Sequence, residues 1–319
     1  MSVKLKVLSA GALFFLAQGF NAQSDTAKVR DIDEVVVVGY GTQKKKDVTA
    51  SLSSVKGAAL ADKPVQTFDQ ALAGRSTGVQ ITVPSGVLNA APVFRIRGVN
   101  SISLSSYPLV IVDGVPSFTG NNSSTDAASN PLASINPADI ESVEIAKDAA
   151  ATAIYGSRAA NGVVFITTKK GKNGKARVNY SNWLSLSSPY RLPQTLNAAE
   201  YIKYKTMAAA NNPAASAVNF TNIDAAGRTI DTDWADIVYR TGVSYNHNIN
   251  VSGGMGGSSY YFSAGYTDQE GIVQKNDFKR ISALLNVDSK ISKIFSLGGK
   301  LSLSLIHISS PRDVEESRM

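Results

Sequence analysis

Phe295–Leu305, FSLGGKLSLSL, sets Phe295, Leu297, Gly299, Leu301, Leu303 and Leu305 on one parity and Ser296, Gly298, Lys300, Ser302 and Ser304 on the other. Successive side chains of an extended chain point to opposite faces, so the stretch predicts a strand with one apolar and one polar face. Earlier segments repeat the pattern. Ser244–Gly253 carries Tyr245, His247, Ile249 and Val251 on one side, and Ser259–Thr267 carries Tyr260, Phe262, Ala264 and Tyr266. Arg280–Ser289 carries Ile281, Ala283, Leu285 and Val287, and Arg177–Ser187 follows the pattern with an imperfect phase around Trp183. Each segment is close to the roughly 9–11 residues with which a tilted strand crosses an outer membrane. The connections run long (Ser188–Val243), short (Gly254–Ser258), medium (Asp268–Lys279) and short (Lys290–Ile294). Such alternation suits strands shuttling between an outer face and the periplasm. A soluble β-sandwich would also alternate; strand length and the export address described below favour the membrane wall.

Upstream, Asp47–Lys170 reads as a compact α+β unit. A short helix is expected over Phe68–Leu72, ended by Gly74, and strands over Gly78–Thr82, Val93–Gly98, Leu109–Val112, Ile140–Ile145 and Gly162–Thr168. Asp113-Gly114-Val115-Pro116 signals a turn, Ala149–Tyr155 a short helix stopped by Gly156, and Ser117–Asn130 a polar loop. On a strand, Arg95 and Arg97 share a face with Val93, opposite Phe94 and Ile96.

Composition narrows the function. The 319 residues are 18% charged and 43% hydrophobic, which suits a folded chain with more than one buried surface. There is no cysteine, and His247 and His307 are the only histidines. Disulfides, thiolate metal sites and cysteine nucleophiles are excluded, and a histidine metal site nearly so, so no metal or cofactor is expected. The net charge of +7 rests on two basic runs, Lys44–Lys46 and Lys169–Arg177, which read as solvated linkers rather than as a nucleic-acid surface. No Ser–His–acid order, metal spacing or phosphate loop appears, so no catalytic residue is assigned and an enzyme is not expected. Gly39-Tyr40-Gly41 fails as a dinucleotide loop because Lys44 stands where a third glycine belongs.

The first residues are an address. Lys4 and Lys6 precede the apolar run Val7–Phe20 and then Asn21-Ala22-Gln23, the layout of a secretory signal over residues 1–23. The run is short for a membrane-anchoring helix. Residues 24–46 then hold Asp31–Gln43, DIDEVVVVGYGTQ, whose Val35–Val38 run favours extended backbone. It could be an ordinary buried strand, or a strand kept free to pair with another protein's sheet edge.

These features together resemble one family. Asp33–Gln43, DEVVVVGYGTQ, resembles the TonB box of SusC/RagA-type TonB-dependent outer-membrane transporters of Bacteroidetes. The likeness continues through LAGRSTGVQI (Leu72–Ile81), FRIRG (Phe94–Gly98), PLVIVDGVP (Pro108–Pro116) and the whole of Asn130–Gly171. DTDWADIVYRTG (Asp231–Gly242) and HNINVSGG (His247–Gly254) resemble the start of that family's barrel. The resemblance implies an α+β plug domain, residues 47–175, followed by the start of a transmembrane antiparallel β-barrel, residues 176–305, about five strands of a roughly 22-stranded wall. It also implies an outer-membrane protein, in contact with its lipid, importing oligosaccharides or peptides with a SusD-like surface lipoprotein and driven by TonB with ExbB and ExbD.

The same resemblance assigns residues. Glu34, Val35, Val36, Val37 and Val38 would couple to TonB. Arg95 and Arg97 would pair with barrel carboxylates to hold the plug, with Glu141 and Glu144 as further plug–barrel contacts. A siderophore or vitamin receptor with the same plug is the alternative within transport, though Lys147-Asp148-Ala149 fits the SusC-like pattern better. An exported plug-like binding or signalling module is the alternative outside it. The small β-sandwich that many members carry ahead of the box is missing here. Five strands cannot close a barrel around a plug of ~125 residues, and residues 306–319, ending SSPRDVEESRM, break the alternation. The chain therefore reads as a truncated piece with a non-native tail.

Overall fold

The computed structural model describes residues 35–38, 41–44, 51–61, 65–84, 86–100, 106–119, 130–211, 226–227, 230–292 and 294–309. The expected secretory segment, Glu34 and the end of the tail lie outside them. A small antiparallel hairpin, β1 (Val35–Val38) with β2 (Gly41–Lys44), comes first. The plug follows. Its strands β3 (Leu52–Lys56), β6 (Leu109–Val112), β7 (Val115–Ser117), β8 (Ile140–Ala146) and β9 (Val163–Thr168) form one sheet in the order β3-β8-β9-β6-β7. Only β6 and β9 run parallel; the other pairs are antiparallel. A separate hairpin joins β4 (Val79–Thr82) to β5 (Val93–Ile96).

Both faces of the plug sheet are covered, so its inner strands read as unbroken apolar runs rather than alternating ones. In β9, Val164 and Ile166 face a core shared with Leu60, Phe68, Leu72, Phe94, Ile96 and Ile145, while Val163 and Phe165 face a second cluster with Ile111, Ala151 and Ala159. Short helices α1 (Gly57–Ala61) and α2 (Phe68–Leu72) pack on the first face. The turn between β6 and β7 puts Asp113 at φ 48° and Gly114 at φ 87°, the left-handed pair that a two-residue hairpin turn requires. Helix α3 (Ala149–Thr152) runs into a 3₁₀ segment, Ala153–Ala159, kinked at Gly156.

Beyond the plug, β10 (Gly174–Ser187), β11 (Gly242–Met255), β12 (Ser258–Glu270), β13 (Asp277–Lys290) and β14 (Ser296–Ser309) form an antiparallel meander that does not close. The five strands are 13 or 14 residues long, longer at both ends than the alternation alone indicates. At the end of β12 both faces are polar, through Thr267, Asp268, Gln269 and Glu270, so hydrogen bonding continues there after the pattern stops. Strand β10 begins at Gly174, inside the expected plug range, and β14 runs to Ser309, past the expected boundary at 305. The register pairs Trp183 with Asn246 and so puts it on the inner face, which explains its odd phase.

The polarity of this sheet is inverted relative to a water-soluble one. On β13, Arg280 is 2% exposed and Asn286 5%, whereas the alternate Ile281 is 52% exposed. Leu301, Leu303 and Leu305 on β14 and Leu184 and Leu186 on β10 are likewise exposed on the outer side. A surface that is polar within and apolar without is stable against lipid, not against water. At about 3.3 Å per residue and a tilt near 40°, 13–14 residues rise well past the ~25 Å apolar band of an outer-membrane wall. Among the described residues no helix is long and apolar enough to cross a membrane. The long connection after β10 instead holds α4 (Ala198–Ala210), closed by an Asn197–Glu200 capping box, and α5 (Trp234–Val238). Neither buries a residue.

Candidate functional site

The site is the seam between plug and wall, together with the strand ahead of the plug. Asparagines make much of the seam, because one amide can accept and donate at once. The carbonyl of Asn136 accepts from Ala138 N at 3.1 Å and so caps the Pro137–Asp139 turn, while its amide donates to Ser282 on β13 at 3.2 Å. Gly265 on β12 permits this approach: a Cβ there would lie 2.7 Å from Asn136 Nδ2 and 2.8 Å from Ser282 Oγ. Asn286 donates to the carbonyl of Lys169 at 2.7 Å and to Thr168 Oγ1 at 3.2 Å. Asn276, between β12 and β13, accepts from Leu88 N at 3.1 Å and donates to Gly86 O at 3.2 Å.

Charged groups complete it. Arg280 is buried and donates from one guanidinium nitrogen to the carbonyls of Gln66, at 3.0 Å, and Ala133, at 2.8 Å, tying two separate plug segments to β13. Tyr261 of β12 donates to Asp139 Oδ1 at 3.0 Å. Burial pushes the Asp139 carboxyl above its ordinary value, although Ser263, Tyr261 and the Lys169 and Arg280 charges oppose the rise. Lys300 of β14 forms an ion pair with Asp113 at the β6–β7 turn, and Thr168 donates to the same carboxylate. Burial would raise Asp113, but the hydrogen bonds from Lys300 and Thr168 outweigh it and hold the carboxyl below its usual range. These seam bonds all reach β12, β13, β14 or the connection between β12 and β13; β10 and β11 make none of them.

The residues singled out from the sequence make none of these seam bonds. Arg97 lies one residue beyond β5, in a left-handed conformation with φ 58°, so it leaves the strand alternation that would set it beside Arg95. It pairs at 2.5 Å with Asp148, a plug residue that also accepts from Ser51 N at 2.9 Å. Those contacts, the Ser51 amide first, hold Asp148 below its ordinary value. Arg95 is half-buried on β5 and makes no ion pair with a described residue. Glu141 pairs with Lys172 at 3.1 Å. Glu144 is buried within the plug, with Oε1 accepting from Ser142 Oγ at 2.7 Å. The described bonds of Arg97 and Glu141 are thus internal to the segment before β10. The seam residues Arg280, Asn286, Tyr261 and Asp139 went unnoticed in the sequence. The available signal was Arg280 itself, a full charge at an inward position of an alternating strand.

Val35–Val38 is extended, as its composition predicts, but one edge is occupied: Val35 pairs with Lys44 and Val38 with Gly41. The other edge makes no strand pair among the described residues.

Known proteins resemble this chain in sequence and fold. The model of the TonB-dependent Receptor Plug Domain matches residues 44–163. A TonB-dependent receptor of Formosa agariphila is 40% identical over 293 residues, covering 90% of this chain and 28% of that protein. The TonB-dependent receptor SusC of Bacteroides thetaiotaomicron is 38% identical over 257 residues, covering 80% of this chain and 24% of that protein. Among solved structures, the RagAB peptide importer in its open-open state superposes with a TM-score of 0.73 at 32% identity, over 87% of this chain and 33% of that one. The chain thus spans about a quarter to a third of the length of the relatives it matches. They are transporters and receptors of the outer membrane, not enzymes.

Proposed function

The chain consists of the plug and first wall strands of an outer-membrane TonB-dependent receptor of the SusC/RagA type, and from that premise we propose that the whole protein imports an oligosaccharide or a peptide across the outer membrane. TonB, energised by ExbB and ExbD, supplies the work, and a SusD-like lipoprotein presents the substrate from outside. The observation that carries this reading is the order of parts: a short extended strand, then a plug, then a wall with a lipid-type outer face that grips the plug through polar side chains. The outer membrane holds no nucleotide fuel, so energy has to arrive mechanically. A strand with an available edge gives a partner a hydrogen-bonded grip that needs no covalent chemistry.

In this reading Glu34–Val38 is the coupling segment. Arg95, Arg97, Glu141 and Glu144 keep their proposed part in holding the plug to the wall: Arg95 has no ion pair with a described residue, and the described bonds of the other three lie within the segment before β10. The test is Val36→Pro in the intact receptor, since proline removes a backbone donor from the strand and disfavours sheet pairing. Uptake of the native substrate is expected to fall at least ~10-fold with unchanged receptor abundance, in line with loss of an edge-paired strand. Undiminished uptake overturns the reading.

A further inference from the structure

Among the described strands, the two that make none of the seam bonds stand across a gap from the plug. Between the plug and the inner faces of β10 and β11 lies a cavity lined by Lys56, Lys170, Lys175, Arg177, Asn248 and Asn250, among others. It sits where β10 starts and where β11 turns into β12, the short-turn end that faces the periplasm in such walls. Lys169 and Lys172 also reach it but are engaged, Lys169 by the Ala138 carbonyl at 2.7 Å and Lys172 by Glu141 at 3.1 Å. Lys56, Lys170, Lys175 and Arg177 make no ion pair among the described residues. The cavity carries two carboxylates, of which Glu141 is neutralised by Lys172 and Glu144 is buried in the sheet. Positive charge is therefore in excess.

A second observation is independent of charge. Asn248 is 1% exposed, lines this cavity, and has no hydrogen-bond partner for its amide nitrogen or its carbonyl oxygen among the described residues. A buried amide with both ends unmet is unfavourable until something supplies a donor and an acceptor. A sugar hydroxyl supplies both in one group. The wall side continues the theme: Asn179, Ser181, Asn250 and Ser252 line the same cavity beside Tyr261, facing Ala58, Ala61, Ala138 and Ile140 of the plug.

We infer that this cavity is a subsite for an acidic oligosaccharide, its hydroxyls met by Asn248 and the neighbouring Asn and Ser side chains and its carboxylates by Arg177 and Lys175. The assignment rests on the transport reading above and narrows its substrate class. Arginine suits the role because its planar fork matches a carboxylate in two parallel hydrogen bonds. A neutral glycan would leave the cations without partners, and a peptide would bring fewer groups that donate and accept at once to the run of wall amides and hydroxyls.

The experiment is titration calorimetry on the intact receptor in detergent, where both faces are accessible, with tetragalacturonate as probe and maltotetraose and tetraglutamate as comparators. Tetragalacturonate is expected to bind at least ~10-fold more tightly than either, the scale of one charge-assisted bidentate contact. Arg177→Gln with Lys175→Gln is expected to remove that advantage. Asn248→Ala, a small change on a wall strand, is expected to weaken all saccharide binding while leaving the plug's thermal transition in place. Equal binding of the acidic and neutral sugars, tighter binding of tetraglutamate, or indifference to both sets of variants overturns the inference. The outcomes separate from the transport reading. Charge-blind binding with uptake still abolished by Val36→Pro sinks only the subsite. Arg177-dependent binding with uptake indifferent to Val36→Pro sinks only the transport reading.

Discussion

The Tyr261 hydroxyl on the wall donates to Asp139 of the plug at 3.0 Å, across a seam where Asp139 is 5% exposed. Tyr261→Phe keeps the ring and removes the donor, leaving the buried carboxylate short of one partner. The expected cost is about 1–3 kcal/mol at the seam. Hydrogen exchange of the Ile140–Ala146 amides in the intact receptor reads it, and faster exchange there with unchanged protection of β9 is the expected pattern.

Arg280 joins the Gln66 and Ala133 carbonyls to β13. Arg280→Lys keeps the charge but loses the fork, and Arg280→Met keeps only the stem. Plug release in urea is expected to shift to lower concentration in the order Arg, Lys, Met. The Met variant should lose about 3–6 kcal/mol, as for two hydrogen bonds to a charged donor. Equal midpoints for all three would show that the seam does not depend on this residue.

Asp113 and Asp139 make opposite predictions for acid. Asp113 is held below its ordinary range, so its contribution is fully present above the unfolded value, near ~4, and fades as pH falls through the lower folded one. Asp139 is held above its ordinary value, so its protonation on acidification favours the folded plug. Asp113→Asn should weaken plug retention at pH 7 and flatten the loss seen in the wild type below about pH 4. Asp139→Asn should remove the acid-favoured component and leave that loss intact. Urea midpoints between pH 3 and 7 measure both.

Gly265 is tested by size. Its Cβ would meet the Asn136 amide at 2.7 Å, so Gly265→Ala has to displace either Asn136 or Ser282. A destabilisation of about 1–3 kcal/mol is expected from overpacking. Asn136→Ala in the same background should recover part of it, which a double-mutant cycle on the urea midpoint would register.

The sequence displayed the fold where a single physical rule dominates. Alternation along Ser259–Thr267 and Arg280–Ser289 located two wall strands, since lipid outside and polar plug inside impose period two. The β6 run LVIV was legible because a strand covered on both faces is simply apolar. The seam was harder to read because its partners are far apart in the chain: Arg280 bonds across 147 and 214 residues, and nothing local marks Ala133 or Gln66 as acceptors. Arg97 leaves the alternation for a local reason. A left-handed residue just past a strand end turns its side chain away from the face that alternation assigns it. The β1–β2 pairing was missed because Gly41–Lys44, GTQK, has little strand propensity of its own and is drawn into the sheet by its neighbour.

The uneven spread of these bonds has a mechanical corollary. Among the described wall strands, β12, β13 and β14 hold the plug through side-chain bonds that β10 and β11 do not match. A load entering ahead of β3 would therefore part the plug from β10 and β11 at lower force than from β12–β14, so that along this stretch of wall release runs like a zip rather than a snap.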